Sequence, residues 1–185
     1  MRLQELTEDQ IKAVYEQRMR EDFPSNELKP LDMIMNRREK GIYECLGLFN
    51  EGELAGYVYL VRLKEDYLID YLAIDKKCRN AGYGGELIRL LSDYLVHAKS
   101  IIGEIEDPEY AQSEADRELR TRRQQFYFRN GFRDTGVKAT CFGEPFMIIE
   151  MGEGLVHTED EIISLYRSHY KAILPEHLYE KQIRI

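Results

Sequence analysis

The spacing of apolar positions along the chain changes several times, and each change marks an element. Ile11, Val14, Tyr15 and Arg18 recur at helical spacing, so residues 8–22 are expected to be a helix. Thr7-Glu8-Asp9-Gln10 is a capping-box pattern at its start, and Pro24 stops it. Pro30 opens a second helix over about residues 31–40, closed by Gly41. The pattern then becomes β-rich. Residues 42–50 and 53–64 flank Asn50-Glu51-Gly52, a hairpin signal, and residues 67–75 form a third strand. Leu87, Ile88, Leu91, Tyr94, Leu95 and Ala98 make one apolar stripe, predicting a helix over 82–98. Residues 100–106 are short and apolar, as in a buried strand. Residues 112–130 read as a helix with Gly131 as its left-handed cap. Residues 132–142 and 146–151 suit a closing hairpin around Gly143-Glu144-Pro145. Residues 155–185 return to helix, opened by Thr158 and broken at Pro175.

Composition narrows the class. The 185 residues, 43% of them hydrophobic, suffice for one domain, or one domain with an appendage, and no Gly/Ser tract or repeat divides them. No apolar run reaches the roughly 18–20 residues that cross a bilayer, and the first residues lack the apolar segment of a signal peptide. A cytoplasmic protein without membrane contact is the expectation. Cys45, Cys78 and Cys141 are odd in number and far apart, which suits reduced thiols. The four histidines form no HExxH and no ligand-spaced pair with cysteine, so no metal is expected. A net charge of −8 argues against nucleic-acid binding and is compatible with a cationic substrate.

The most chemical segment is Cys78-Arg79-Asn80-Ala81-Gly82-Tyr83-Gly84-Gly85, between a predicted strand and a predicted helix. A strand, a glycine turn and a helix in that order direct backbone N–H groups and the positive end of the helix dipole at one point, which suits a phosphate. The segment lacks the third glycine of a dinucleotide fingerprint and the Lys-Ser or Lys-Thr of a Walker loop.

Arg79-Asn80-Ala81-Gly82-Tyr83-Gly84 resembles the Q/R-x-x-G-x-G/A pyrophosphate loop of the GNAT N-acetyltransferase family. Phe126-Tyr127-Phe128-Arg129-Asn130-Gly131-Phe132 is similar to that family's second signature, a helix ending in F-Y-x-x-x-G-F. The motifs come in the family's order, within its succession β-α-α-β-β-β-loop-α-β-α-β-β, and the likeness spans about residues 1–151. The resemblance implies an α+β fold with a mixed, mostly antiparallel central sheet flanked by helices. Residues 152–185 lie outside the likeness and are expected to form a C-terminal helical extension that packs on the same domain by default, the alternatives being that it folds over the acceptor site, covers a sheet edge, or pairs with a second copy as a homodimer.

The resemblance also implies roles. Main-chain N–H groups of Arg79, Asn80, Ala81, Gly82, Tyr83, Gly84 and Gly85 would hold the pyrophosphate of acetyl-CoA, the cosubstrate. The main chain of Leu72, Ala73 and Ile74 would run beside the pantothenyl arm and polarise the thioester carbonyl, their side chains being core. Tyr127 occupies the slot of the general acid for the departing thiolate, the plain alternative being an interior aromatic with a satisfied hydroxyl. A primary alkylamine, with a pKa of about 10.4, needs a base at neutral pH. Glu104 is the better match and Glu106 the second, both on one face of their strand, the alternative being a strand end running into solvent. A further branch of the family has its glutamate where Leu68 stands here, with Asp70 close but out of line. Seven acids within residues 104–118 are either a rim attracting a cationic amine or a solvated face. Among Arg117, Arg120, Arg122 and Arg123, partly their helical partners, one could reach the coenzyme's phosphates. Cys78 has no histidine near it in sequence and the family mechanism needs no covalent intermediate, so an idle thiol is expected. The acceptor is then a small-molecule amine or a protein amino group. The alternatives from other classes are a non-catalytic acyl-CoA-binding or sensing module and an interaction domain whose loop binds nothing.

Overall fold

In a computed structural model, described here for residues 1–152 and 157–185, the chain forms two compact units. Residues 1–63 with 69–98 make the first, and residues 64–68 with 99–185 make the second.

The first unit begins with β1 (Arg2–Glu5) and α1 (Glu8–Val14). Thr7 and Gln10 cap α1 reciprocally, as the sequence pattern requires. The helical run continues through a π-helical turn, Tyr15–Met19, into a last α-turn, Arg20–Asp22. The wider π-turn moves the buried face on by one residue. Met19 is therefore fully buried where an unbroken 3.6 period puts Arg18, and Arg18 instead pairs with Asp75 at 2.8 Å. α2 (Leu31–Glu39) follows Pro30. β2 (Tyr43–Asn50) and β3 (Glu53–Leu63) pair antiparallel with Asn50 opposite Glu53. Their two-residue turn, Glu51-Gly52, has φ of 51° and 92°, a twist that matches the strands. β4 (Asp66–Ile74) begins in the second unit and continues into the first, where the strand order is β1-β2-β3-β4. α3 (Tyr83–Tyr94) buries Leu87, Ile88 and Leu91, each contributing about 1.5–3 kcal/mol. It ends at Leu95, short of residue 98, and Tyr94 is turned outward to donate its hydroxyl to Glu44 (3.2 Å).

The second unit contains β5 (Ser100–Glu106), α4 (Glu114–Arg129), β6 (Phe132–Cys141), β7 (Glu144–Met151), α5 (Glu159–Ile173), α6 (Glu176–Gln182) and β8 (Ile183–Arg184). Its strands lie in the order β5-β7-β6-β8, all antiparallel. The β6–β7 turn is Phe142-Gly143, with φ of 50° and 90°, and not Gly143-Glu144-Pro145. Pro145 stands opposite Thr140 inside the ladder, and its carbonyl accepts from the Asp107 N–H at 3.1 Å. Thr158 and Glu161 form a capping box on α5, and Pro175 separates α5 from α6. The expected start of the tail helix at residues 155–156 lies outside the described residues. β8 was not foreseen. Among the described residues, no helix is long and apolar enough to cross a membrane.

Candidate active site

The glycine segment lies wholly in the first unit. Asp75 closes β4 by accepting the Lys77 N–H at 2.9 Å, and a short 3-10 turn, Lys76–Cys78, leads into it. Asn80 has φ of 62° and Gly82 has φ of 84°, the left-handed region that glycine enters without cost. Gly82 is the N-cap residue of α3 and supplies no side-chain cap. The first intrahelical bond runs from the Glu86 N–H to the Gly82 carbonyl, so Tyr83, Gly84 and Gly85 start the helix with N–H groups that have no intrahelical partner. A Cβ at Gly82 would meet nothing within 4 Å, so it is the backbone angle that calls for glycine. The segment from Arg79 to Gly82 is exposed. This is an open, uncapped helix start, and its donors fit a diphosphate.

Arg79 does not point into open solvent. Its Nε donates to the Ile74 carbonyl (3.0 Å), and its Nη2 pairs with Asp22 at 2.8 Å. Asp22 also accepts from the Tyr57 hydroxyl at 2.9 Å. With Arg18–Asp75 and Glu21–Lys76 (2.9 Å), three ion pairs tie the end of the π-bulged helix to the segment just after β4. Sequence reasoning missed this lacing, because each pair joins residues more than fifty positions apart.

Leu72 and Ile74 are half-buried, not core as expected, while Ala73 between them is buried. A Cβ added at Gly56 of β3 would stand 2.7 Å from Ile74 Cδ1 and 2.9 Å from the Ala73 carbonyl oxygen. Glycine there lets β3 lie close to this stretch of β4. Asp70 is enclosed: Lys29 reaches it at 2.7 Å, and the Tyr43 hydroxyl donates to its other oxygen. Cys45 is buried and its thiol is pushed up to about 12 by desolvation.

The acid–base candidates lie in the second unit. Tyr127 is near the end of α4, where Gly131 (φ 86°) turns the chain into β6 and returns Phe132 to Tyr127. The tyrosine ring meets Phe126 and Phe132 edge to face, with centroids 5.2 and 5.1 Å away. Burial pushes its phenol up to about 12, and the Arg123 charge pulls the other way. Among the described residues, its hydroxyl has no hydrogen-bond partner.

Glu104 and Glu106 stand on β5 opposite Ile148 and Phe146 of β7. Glu106 pairs with Arg123, so its charge is spoken for. Glu104 is met by two phenols of α5: Tyr166 donates to Oε2 at 2.6 Å and Tyr170 to Oε1 at 2.5 Å. The other acids of residues 104–118 are largely paired. Asp107 and Glu109 share Lys138 (2.8 and 2.5 Å), Asp116 holds Arg120 at 3.0 Å, and Glu114 faces Arg117 at 3.8 Å. This pairing covers most of those acids, with Asp107 and Glu109 sharing one lysine. It leaves Arg122, among the described residues, as the arginine of this group without a partner.

Residues 41–134, about half of the chain, match the model of the acetyltransferase (GNAT) domain. The chain belongs to the GNAT acetyltransferase family. The matched stretch includes β4, the Arg79–Gly85 segment, Glu104, Glu106 and the Tyr127 signature. A structure described as a GNAT-family acetyltransferase from Bacteroides thetaiotaomicron is 22% identical with a TM-score of 0.73, covering 94% of this chain and 98% of that one. The ribosomal-protein-S18-alanine N-acetyltransferase from Escherichia coli is 17% identical with a TM-score of 0.60, covering 83% and 97%. An aminoglycoside 6'-N-acetyltransferase complexed with coenzyme A is 15% identical with a TM-score of 0.56, covering 81% and 96%. These likenesses establish the α+β GNAT fold that the two motifs implied. No curated protein sequence matches the chain.

Proposed function

We propose that this GNAT acetyltransferase transfers an acetyl group from acetyl-CoA directly to a primary amine, on a small molecule or on a protein. The observation that carries the proposal is the uncapped, left-handed glycine start of α3 immediately after β4. Main-chain N–H groups from Arg79 to Gly85 bind the pyrophosphate, with the helix dipole adding to them. Arg79 contributes by keeping the segment tied to Asp22 and Ile74, and less by direct charge. The Leu72–Ile74 main chain aligns the pantetheine arm and donates to the thioester carbonyl oxygen as charge gathers there.

The thioester supplies an activated acyl carbon. Glu104 removes a proton from the ammonium form of the acceptor, directly or through water, so that the nitrogen lone pair is available. The N–C bond forms as the C–S bond breaks, Tyr127 donates its proton to the departing sulfur, and the second proton shed by the nitrogen as the amide forms refills the tyrosinate through water. The Tyr127 hydroxyl, without a partner among the described residues, and its protonated state at neutral pH suit that donation. Glu106, held by Arg123, is the weaker base candidate. Neighbours that act on a ribosomal-protein alanine and on aminoglycosides, both amines, support an amine acceptor for this chain.

The test is thiol release from acetyl-CoA with a panel of amines, beside calorimetric binding of coenzyme A. Tyr127→Phe and Glu104→Gln should each lose about 10²–10⁴-fold in turnover and keep coenzyme affinity within about twofold. Saturable binding with no turnover on any amine would make the protein an acyl-CoA sensor, and no binding heat at tens of micromolar would refute the site itself.

A further inference from the structure

We propose that Tyr166 and Tyr170, on the C-terminal helix, are positioning residues that hold the Glu104 carboxylate in place for proton transfer. The inference rests on reading Glu104 as the base. Tyr166 and Tyr170 are one helical turn apart on α5, so their side chains leave the same face. Their rings lie 4.8 Å apart, and both residues are completely buried. Each phenol serves a different oxygen of one carboxylate, at 2.6 and 2.5 Å. That two-point hold fixes the carboxylate plane, which a single hydrogen bond would leave free to rotate. The arrangement extends one step further, since the Cys141 thiol on β6 donates to the Tyr170 oxygen at 3.2 Å. A carboxylate accepts about four hydrogen bonds, so two phenols do not exhaust it.

The chemistry gives these tyrosines more than an anchoring role. Donors aimed at the charged form of a carboxyl favour that form. They also offset part of the cost of holding that charge away from bulk water. Tyr166 stays a donor throughout, because burial and the Glu104 charge push its phenol well above its ordinary range. The other charges on this sheet face are settled among themselves. On β5, Glu106 is held by Arg123 of α4, and on β7, Glu150 is held by Arg133 and His157. Glu104 is the acid that the tail helix addresses with uncharged donors. The segment after the family-matched region thus completes the machinery instead of merely covering it.

The experiment compares Tyr166→Phe, Tyr170→Phe and Glu104→Gln with the native protein. It reads the pH profile of kcat/KM, the KM for acetyl-CoA and the melting temperature. A ¹³C NMR titration of the Glu104 carboxyl in each tyrosine variant gives a readout independent of activity. The expected result is an acidic limb, and a carboxyl midpoint, displaced upward by roughly one pH unit per phenol removed, with KM for acetyl-CoA unchanged. A lowered melting temperature with limb and midpoint unmoved would reduce the tyrosines to anchors of α5 and overturn the inference, while an inactive Glu104→Gln would leave the base reading intact. A fully active Glu104→Gln would overturn both. If one tyrosine variant does not fold, the other and its titration decide the matter.

Discussion

At the scale of single residues, the most consequential pairing outside the acid–base group is Lys29 with Asp70. Their side chains are 5% and 1% exposed, and they meet at 2.7 Å. The surroundings are arranged around them: the Lys29 N–H donates to the Tyr71 hydroxyl, which donates to the Glu27 carbonyl, while Tyr15 donates to the Lys29 carbonyl. Breaking a buried pair on one side leaves a charge with no water to solvate it, which costs about 3–5 kcal/mol. Lys29→Met should therefore lower stability to urea by that amount, whereas Lys29→Met with Asp70→Asn should lose clearly less. Equal losses in the single and the double variant would show that the pair's charges are not what matters. The sequence identified Asp70 as a carboxylate close to a family base position but gave no hint of its partner. The two lie forty-one residues apart, and no local pattern encodes a contact at that separation. The glycine motif and the Phe126–Phe132 signature were legible for the opposite reason, since their chemistry is local. Gly82 and Gly131 both take the left-handed angles that such positions require.

At the scale of elements, periodicity gave most helices and strands to within a few residues and failed where a local feature broke the period. The π-turn at Tyr15–Met19 sent Arg18 out and Met19 in, a shift that a 3.6-residue template cannot register. The β6–β7 turn was displaced because Pro145, a turn-former by composition, sits in the strand, while Phe142 accepts a positive φ beside Gly143. β8 is two residues long, too short to show an alternation. The approach of β3 to β4 carries a prediction at this scale. Gly56→Ala would press a methyl against Ile74 Cδ1 and, less forgivingly, against the Ala73 carbonyl. A flexible side-chain end can move, but the backbone of β4 moves only as a strand. The variant should lose about 1–3 kcal/mol of stability and raise KM for acetyl-CoA several-fold more than kcat falls, because the displaced main chain is the part assigned to the pantetheine arm. Unchanged KM in a destabilised variant would separate that main chain from coenzyme binding.

At the scale of the whole molecule, acidification sets two electrostatic effects against each other. The net charge is −8 at pH 7 and the isoelectric point is about 5.2, so lowering the pH toward 5 relieves self-repulsion and favours the folded chain. His169 acts in the opposite direction. It is fully buried on α5, with Nδ1 2.7 Å from the Leu165 carbonyl and Nε2 3.2 Å from the Asp66 carbonyl. Burial lowers its affinity for a proton in the folded state, while the two carbonyls oppose that effect only in part. The unfolded chain therefore binds this proton first, at a pH of about 6.5. Linkage then makes stability rise with pH wherever the unfolded state holds more protons. The His169 contribution is complete above about pH 6.5 and is lost as the pH falls toward the depressed folded value, with a slope of at most about 1.4 kcal/mol per pH unit. Charge relief is shared by any variant with the same surface, so a difference curve isolates the histidine. His169→Gln keeps an amide donor and cannot titrate. Urea unfolding of both proteins from pH 8 to 5 should show the gap between them constant above pH 7 and shifting in favour of the variant below about 6.5. A gap that stays flat across the whole range would mean that His169 takes up its proton as readily inside the fold as outside it, with the two carbonyls offsetting the burial in full.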